Sequence, residues 1–150
     1  MELRRYILFA FVALVTVFVQ SCDIEHSDNG DYDGLWQLTA VDSLAPESTD
    51  GHRDMRESNI SWCIQGSLLE LMHANTSDCY FCRFVQADGK MKIEDLRHWS
   101  KEYQDPLVTD VAEVQRFGVN ALPEHFDILT INKETMVLQS SLIRLSFRKY

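Results

Sequence analysis

Cys79-Tyr80-Phe81-Cys82 has the Cys-x-x-Cys spacing of dithiol redox centres and zinc sites. A redox pair needs its first thiol activated, usually at a helix N-terminus. Here both cysteines stand in an aromatic, strand-like run. Residues three apart on a strand point to opposite faces, so the two cannot join without breaking the strand. Zinc asks for about four ligands, and Cys63, Cys79, Cys82 and His73 are the candidates present. No metal and no cofactor is therefore expected. The remaining readings are a disulfide between Cys63 and either partner, with Cys63–Cys82 the first choice, or buried free thiols. An oxidising compartment favours the disulfide.

Other constellations are weaker. Asn29-Gly30-Asp31-Tyr32-Asp33-Gly34 imitates the opening of a calcium loop, but its twelfth position falls on Ala40, where a bidentate glutamate is required. The five histidines are dispersed, with no His-x-x-x-His or His-Glu-x-x-His arrangement. Ser67 follows Gly66 without the pattern of a nucleophile elbow. Carboxylates are too plentiful for any pair to be informative. The expectation is a protein that is not an enzyme. Asp42-Ser43-Leu44 matches a short O-glycosylation pattern, placed in a loop.

The strongest signal is Cys22. Arg4 and Arg5 precede an apolar run from Tyr6 to Val19, and Val19-Gln20-Ser21-Cys22 has the form of a lipobox. The run is shorter than the roughly 20 residues a membrane-crossing helix needs. Residues 1–21 therefore read as a removable lipoprotein signal peptide, with lipid attached to Cys22. The expected location is the cell envelope, as an outer-membrane lipoprotein facing the periplasm or the cell surface. Asp23 and Glu25, just after the lipidated cysteine, are compatible with surface export in some Gram-negative groups.

Removal of those 21 of the 150 residues leaves 129, enough for one domain without obligatory disulfides. Losing Glu2, Arg4 and Arg5 takes the formal charge from −9 to −10. Such a surface repels phosphate backbones, so no nucleic-acid partner is expected. It equally disfavours a polybasic contact with anionic headgroups. Membrane attachment rests on the lipid, whose chains each contribute about 0.8 kcal/mol per buried methylene.

Elements must then position these residues. Positions 22–33 are acidic and poor in aliphatics, the composition of a solvated tether. The folded domain is expected over 34–150. Strands are expected over 35–41, 61–72 (with a bend at Gly66), 79–86, 90–96, 126–131, 135–140 and 142–149, with a polar loop over 42–57. Asp88-Gly89 marks a hairpin. Val108, Val111, Ala112, Val114 and Phe117 predict one short helix, capped by Thr109 or Asp110 and stopped at Gly118. Seven or eight short strands with hairpin-length loops imply an antiparallel barrel or sandwich.

Gly34-Leu35-Trp36-Gln37-Leu38, Phe117-Gly118-Val119-Asn120, Phe126-Asp127-Ile128-Leu129, Met136-Val137-Leu138 and Leu145-Ser146-Phe147-Arg148-Lys149 resemble, in order and spacing, lipocalin-like lipoproteins of Bacteroides and relatives. The resemblance implies a small, mostly β, calycin-type antiparallel barrel of about eight strands. It also implies that Gly34-x-Trp36 lies on the first strand, with a basic residue from the last strand over the indole. Arg148, or Arg144, is the expected partner of Trp36 in this barrel-closing pair. If Leu145 and Phe147 face inward, however, alternation turns both arginines outward. That family's role is largely unassigned; the barrel resemblance together with the lack of catalytic residues points to a non-enzymatic binding module for a small hydrophobic ligand. The alternative is an accessory envelope protein that docks a partner protein through its outer face or loop 42–57.

Overall fold

The computed structural model describes residues 29–45, 51–100, 102 and 104–150. The expected signal peptide, Cys22 and residues 46–50 of the expected loop lie outside the described residues. Ten strands are present: β1 (Gly34–Ser43), β2 (His52–Asp54), β3 (Ile60–Gln65), β4 (Leu68–His73), β5 (Cys79–Ala87), β6 (Lys90–Ile93), β7 (Arg97–His98), β8 (Glu124–Ile131), β9 (Thr135–Gln139) and β10 (Ile143–Lys149). Eight of them form a closed ring in the order β1-β3-β4-β5-β6-β8-β9-β10, with β10 pairing back onto β1. Every pairing is antiparallel. The expected mostly β lipocalin-like barrel of about eight strands is what the chain forms.

Alternation explains the strands. Ile60, Trp62 and Ile64 of β3 are buried, as are Tyr80, Cys82 and Phe84 of β5 and Leu145 and Phe147 of β10, while their neighbours are more exposed. This period of two marks a wall with one dry face. Three expectations change in detail. The run 61–72 is a hairpin, not one bent strand, because Gly66 at φ +58 makes the tight turn. The loop 42–57 contains β2, which lies on β1 through Ala40, Val41 and Asp42. The expected helix is two successive 3-10 turns, Val111–Glu113 and Gln115–Phe117. The reason is periodic: Val108, Val111, Val114 and Phe117 recur every third residue, the repeat of a 3-10 turn. Asp110 caps the first turn by accepting from Ala112 N at 2.9 Å, and Gly118 stops the second at φ +90.

The end of the barrel where β1 begins is its base, and the described part of the proposed tether is folded against it. Gly30–Tyr32 form a 3-10 turn with Tyr32 buried. Trp36 Nε1 donates to Tyr32 O at 2.7 Å, and Gly66 N donates to an oxygen of Asp33 at 2.9 Å. Residues 29–33 therefore belong to the domain. Tyr32 supplies an apolar group among three polar neighbours and a glycine, which composition alone does not reveal.

The cation over Trp36 is Lys149, not Arg148 or Arg144. Lys149 Nζ stands 4.7 Å from the indole centroid and donates to Asp31 O at 2.9 Å. Parity decides this, because Lys149 shares the face of Leu145 and Phe147 and pairs with Trp36 in register. Arg148 lies on the outer face and donates to Gln37 Oε1 at 3.0 Å, while Arg144 bonds Gln139. Gly34 completes the arrangement. At φ +139 it is in glycine territory, and a Cβ there would come within 2.7 Å of Lys149 Cε.

Replacing this cation should be felt. Lys149→Met is expected to lower stability by about 1–2 kcal/mol, and Arg144→Met, on an exposed strand face, by less than about 0.5 kcal/mol. Urea unfolding of both variants checks this, and equal midpoints would remove Lys149 from its role.

Candidate functional site

A barrel offers three places for function: its interior, its rim and its outer wall. The interior is packed. Trp62 on β3 meets Phe126 on β8 edge to face, with ring centroids 5.9 Å apart, and Phe147 on β10 at 4.9 Å. β3 and β8 are four steps apart whichever way the ring is followed, so they stand opposite each other. Side chains from opposed walls therefore touch across the axis. Trp36, Leu38, Leu71, Met91 and Leu138 fill the space around them and are fully buried.

The rim is closed as well. The connection from β7 to β8 carries Val114, Phe117 and Val119, all fully buried, over the end where β1 finishes. Trp62 Nε1 donates to Phe117 O at 3.0 Å, and the Phe117 ring meets Tyr80 edge to face at 5.6 Å. Gly118 fits against Leu145, whose methyls would lie 2.7 Å from any added Cβ. Glu124 fastens the loop, since its carboxylate accepts from Asn120 N at 2.8 Å and His125 N at 3.1 Å. Sequence reasoning passed over Glu124 among so many carboxylates. Its one distinguishing signal was its place on the inward parity of β8, two residues before Phe126.

The cysteines are divided by the wall. Cys63 and Cys79 face outward, Cys82 inward, and all three are free thiols. The proposed Cys63–Cys82 disulfide does not form because the two side chains lie on opposite faces. The alternative Cys63–Cys79 is spanned by β4, which puts the two about 10 Å apart laterally, beyond the roughly 7 Å limit for bridging. The same division separates Cys82 from the other candidate zinc ligands. His73 bonds Thr76 Oγ1 through Nδ1 at 3.1 Å. Among the described residues, no group of three or more histidine, cysteine or acidic side chains is placed to hold a metal. Burial pushes the Cys82 thiol up to about 12, helped by Asp95, and raises Cys63 and Cys79 with help from Glu70. None is an activated nucleophile.

This architecture is matched by known proteins. A family model described as a lipocalin-like domain matches residues 15–150. The chain belongs to the lipocalin-like domain family. Its structure is similar to a lipocalin-like protein from Bacteroides uniformis, with a TM-score of 0.57 and 15% identity over 81% of this chain and 100% of that one. An uncharacterized protein from Bacteroides eggerthii is similar at TM-score 0.54 and 19% identity, over 80% of this chain and 100% of that one. A protein from Burkholderia xenovorans, solved by NMR, is similar at TM-score 0.50 and 17% identity, over 79% of this chain and 82% of that one. A comparison with curated protein sequences finds no significant match. Lipocalin-like barrels are a binding fold, in which eight strands either enclose one small ligand or fill with side chains. Here they fill.

The outer wall has the remaining concavities. One of about 570 Å³ opens between β8 and the β9–β10 hairpin, beside His125, Asp127 and Ser141. A smaller one of about 110 Å³ lies between β2 and the rim plug, near Arg53, Met55 and Arg116. A third, of about 410 Å³, lies on the outer side of β5 and is lined by Phe81, Arg83, Val85, Glu94, Asp95 and Arg97, among others.

Two outcomes follow. Phe117→Ala removes the plug's largest side chain and should cost about 3–5 kcal/mol, read by thermal unfolding; a loss under about 1 kcal/mol would mean that the plug does not seal the core. Thiol titration under native conditions should modify Cys63 and Cys79 before Cys82. Because folding raises the Cys82 pKa from 9.0 to about 12, the folded state holds that proton longer, so stability should fall as pH rises from 9 toward 12. A Cys82→Ala variant should lose that part of the alkaline slope, and an unchanged slope would assign it elsewhere.

Proposed function

We propose that this protein is a lipid-anchored component of the cell envelope whose barrel is a non-enzymatic binding module working from its outer surface. The observation that carries the reading is the contact of Trp62 with Phe126 across the barrel. With the axis occupied and the rim plugged, the small hydrophobic ligand expected from the sequence meets an interior that the described residues fill, whereas ligand pockets run to roughly 300–1,000 Å³. Binding then falls to the outer wall, as in the alternative of an envelope protein that docks a partner.

The anchor fits that arrangement. Asn29 sits at the base of the barrel, seven positions after Cys22. Seven residues span at most about 25 Å, so a lipid on Cys22 keeps the base toward the membrane and turns the rim away. The side wall and rim are then the surfaces open to a partner. Whether they face the periplasm or the medium turns on export, for which Asp23 and Glu25 are the relevant residues.

Cells fed labelled palmitate are expected to label the protein, and Cys22→Ser is expected to abolish the label. Native mass spectrometry of the gently purified Cys22→Ser chain should show the bare polypeptide mass. A stoichiometric lipid or other apolar small molecule retained through purification would overturn the outer-surface reading and restore an internal ligand.

A further inference from the structure

The 410 Å³ cleft exists because of an irregularity in the sheet. One edge of β5 pairs with β6 over Phe84–Ala87 and with β7 over Tyr80 and Phe81. Between them Glu94, Asp95 and Leu96 leave the ladder, with Asp95 at φ +53 and Leu96 turned into the core. Cys82 and Arg83 are thus left without strand partners on that side, and a notch opens in the outer wall.

The notch has a particular chemistry. Leu68, Phe81 and Val85 form an apolar shelf in its lining, and beside that lining the Trp99 indole, 51% exposed, stands edge to face with Phe81 at 6.1 Å. Arg83 donates to Ser67 Oγ at 2.7 Å and Arg97 to Asp105 O at 3.0 Å. Each guanidinium has five N–H groups, so both keep donors to spare. In the same lining, Glu94 is paired with Lys92 at 2.5 Å, and the Asp95 carboxylate makes no hydrogen bond or ion pair with the described residues. The two cations and two carboxylates cancel, on a protein whose processed chain carries −10.

A charged ligand of either sign meets two opposing groups here. A neutral ligand with many hydroxyls meets none, because each hydroxyl donates to a carboxylate and accepts from a guanidinium. Carbon-bound hydrogens on one face of such a ligand suit an aromatic shelf, whose ring faces are electron rich. We propose that this cleft binds a saccharide, with Arg83, Arg97 and Asp95 holding its hydroxyls and Phe81 and Trp99 its apolar face. The volume accommodates a segment of about two sugar rings. The proposal rests on the outer-surface reading and gives it a ligand class.

The test is a titration of the isotope-labelled Cys22→Ser chain, observed by heteronuclear NMR. The probes are the neutral disaccharides cellobiose, maltose and diacetylchitobiose, with a mixture of tetrapeptides run in parallel. The expected result is saturable shifts at Phe81, Arg83, Asp95 and the Trp99 indole for at least one disaccharide. Arg83→Ala and Asp95→Asn should each weaken that binding by about tenfold or more, while Arg144→Ala leaves it unchanged. Retained peak dispersion certifies that each variant is folded. No shift with any disaccharide, shifts elsewhere on the barrel, or shifts from the peptides alone would each overturn the saccharide assignment. Those failures leave the palmitate and native-mass results standing, so the two readings can fall separately.

Discussion

Closure of the ring by β10 onto β1 is the constraint on which the remaining architecture depends. That pairing runs from Trp36–Lys149 at the base to Ser43–Ile143 at the rim, interrupted by one bulge between Leu38 and Ala40. Once its register is set, alternation assigns every side chain of the last strand to one face. Leu145, Phe147 and Lys149 go inside; Arg144 and Arg148 go outside. The bulge keeps Val41 on the inward face beyond the irregularity. A shift of one residue would put the arginines into the core, so the register is strongly specified.

The two ends of the barrel are closed by different means, and both depend on an indole. At the base, Trp36 uses its N–H on Tyr32 O and its ring face on Lys149, which binds the entering chain to the last strand. At the rim, Trp62 uses its N–H on Phe117 O and its ring on Phe126 and Phe147. Each buried indole therefore has its single donor satisfied, which is what makes so large a side chain tolerable inside. The rim plug keeps its shape through short-range turn hydrogen bonds, such as Phe117 N to Val114 O and Gly118 N to Gln115 O. Its stability comes from burying Val114, Phe117 and Val119, together with the Glu124 carboxylate that takes two backbone N–H groups.

Much of this was legible in the sequence, because alternation and turn chemistry are local. The hairpin at Asp88-Gly89, the stop at Gly118, the cap at Asp110 and the mostly β class all follow from residue types at short range. What escaped was the outcome of pairing between distant segments. The spacing of Val108 to Phe117 announced a helical period, but its exact repeat of three, and hence its 3-10 form, was overlooked. Alternation from Leu145 and Phe147 turns both expected arginines outward, and the residue it leaves facing Trp36 is Lys149. An oxidising compartment favours a disulfide, but the faces of β3 and β5 decide against it. The outer cleft could not be anticipated, since it arises where β6 and β7 fail to form one continuous strand. A residue such as Asp95 at positive φ carries no local signal strong enough to announce that break.

A filled barrel changes what the fold can do. An enclosed pocket recognises its ligand by exclusion of water, and shape dominates. A shallow outer cleft remains wet, so its polar groups must compete with solvent and specificity comes from matched donors and acceptors. In this protein the packed interior makes the wall rigid, because Phe81, Arg83 and Val85 alternate along β5 with buried Tyr80, Cys82 and Phe84. A rigid strand places outward side chains more reproducibly than a loop would. The aromatic packing that removes the internal chamber therefore also holds the outer groups in fixed relation. The filled interior and the fixed outer wall follow from the same side chains.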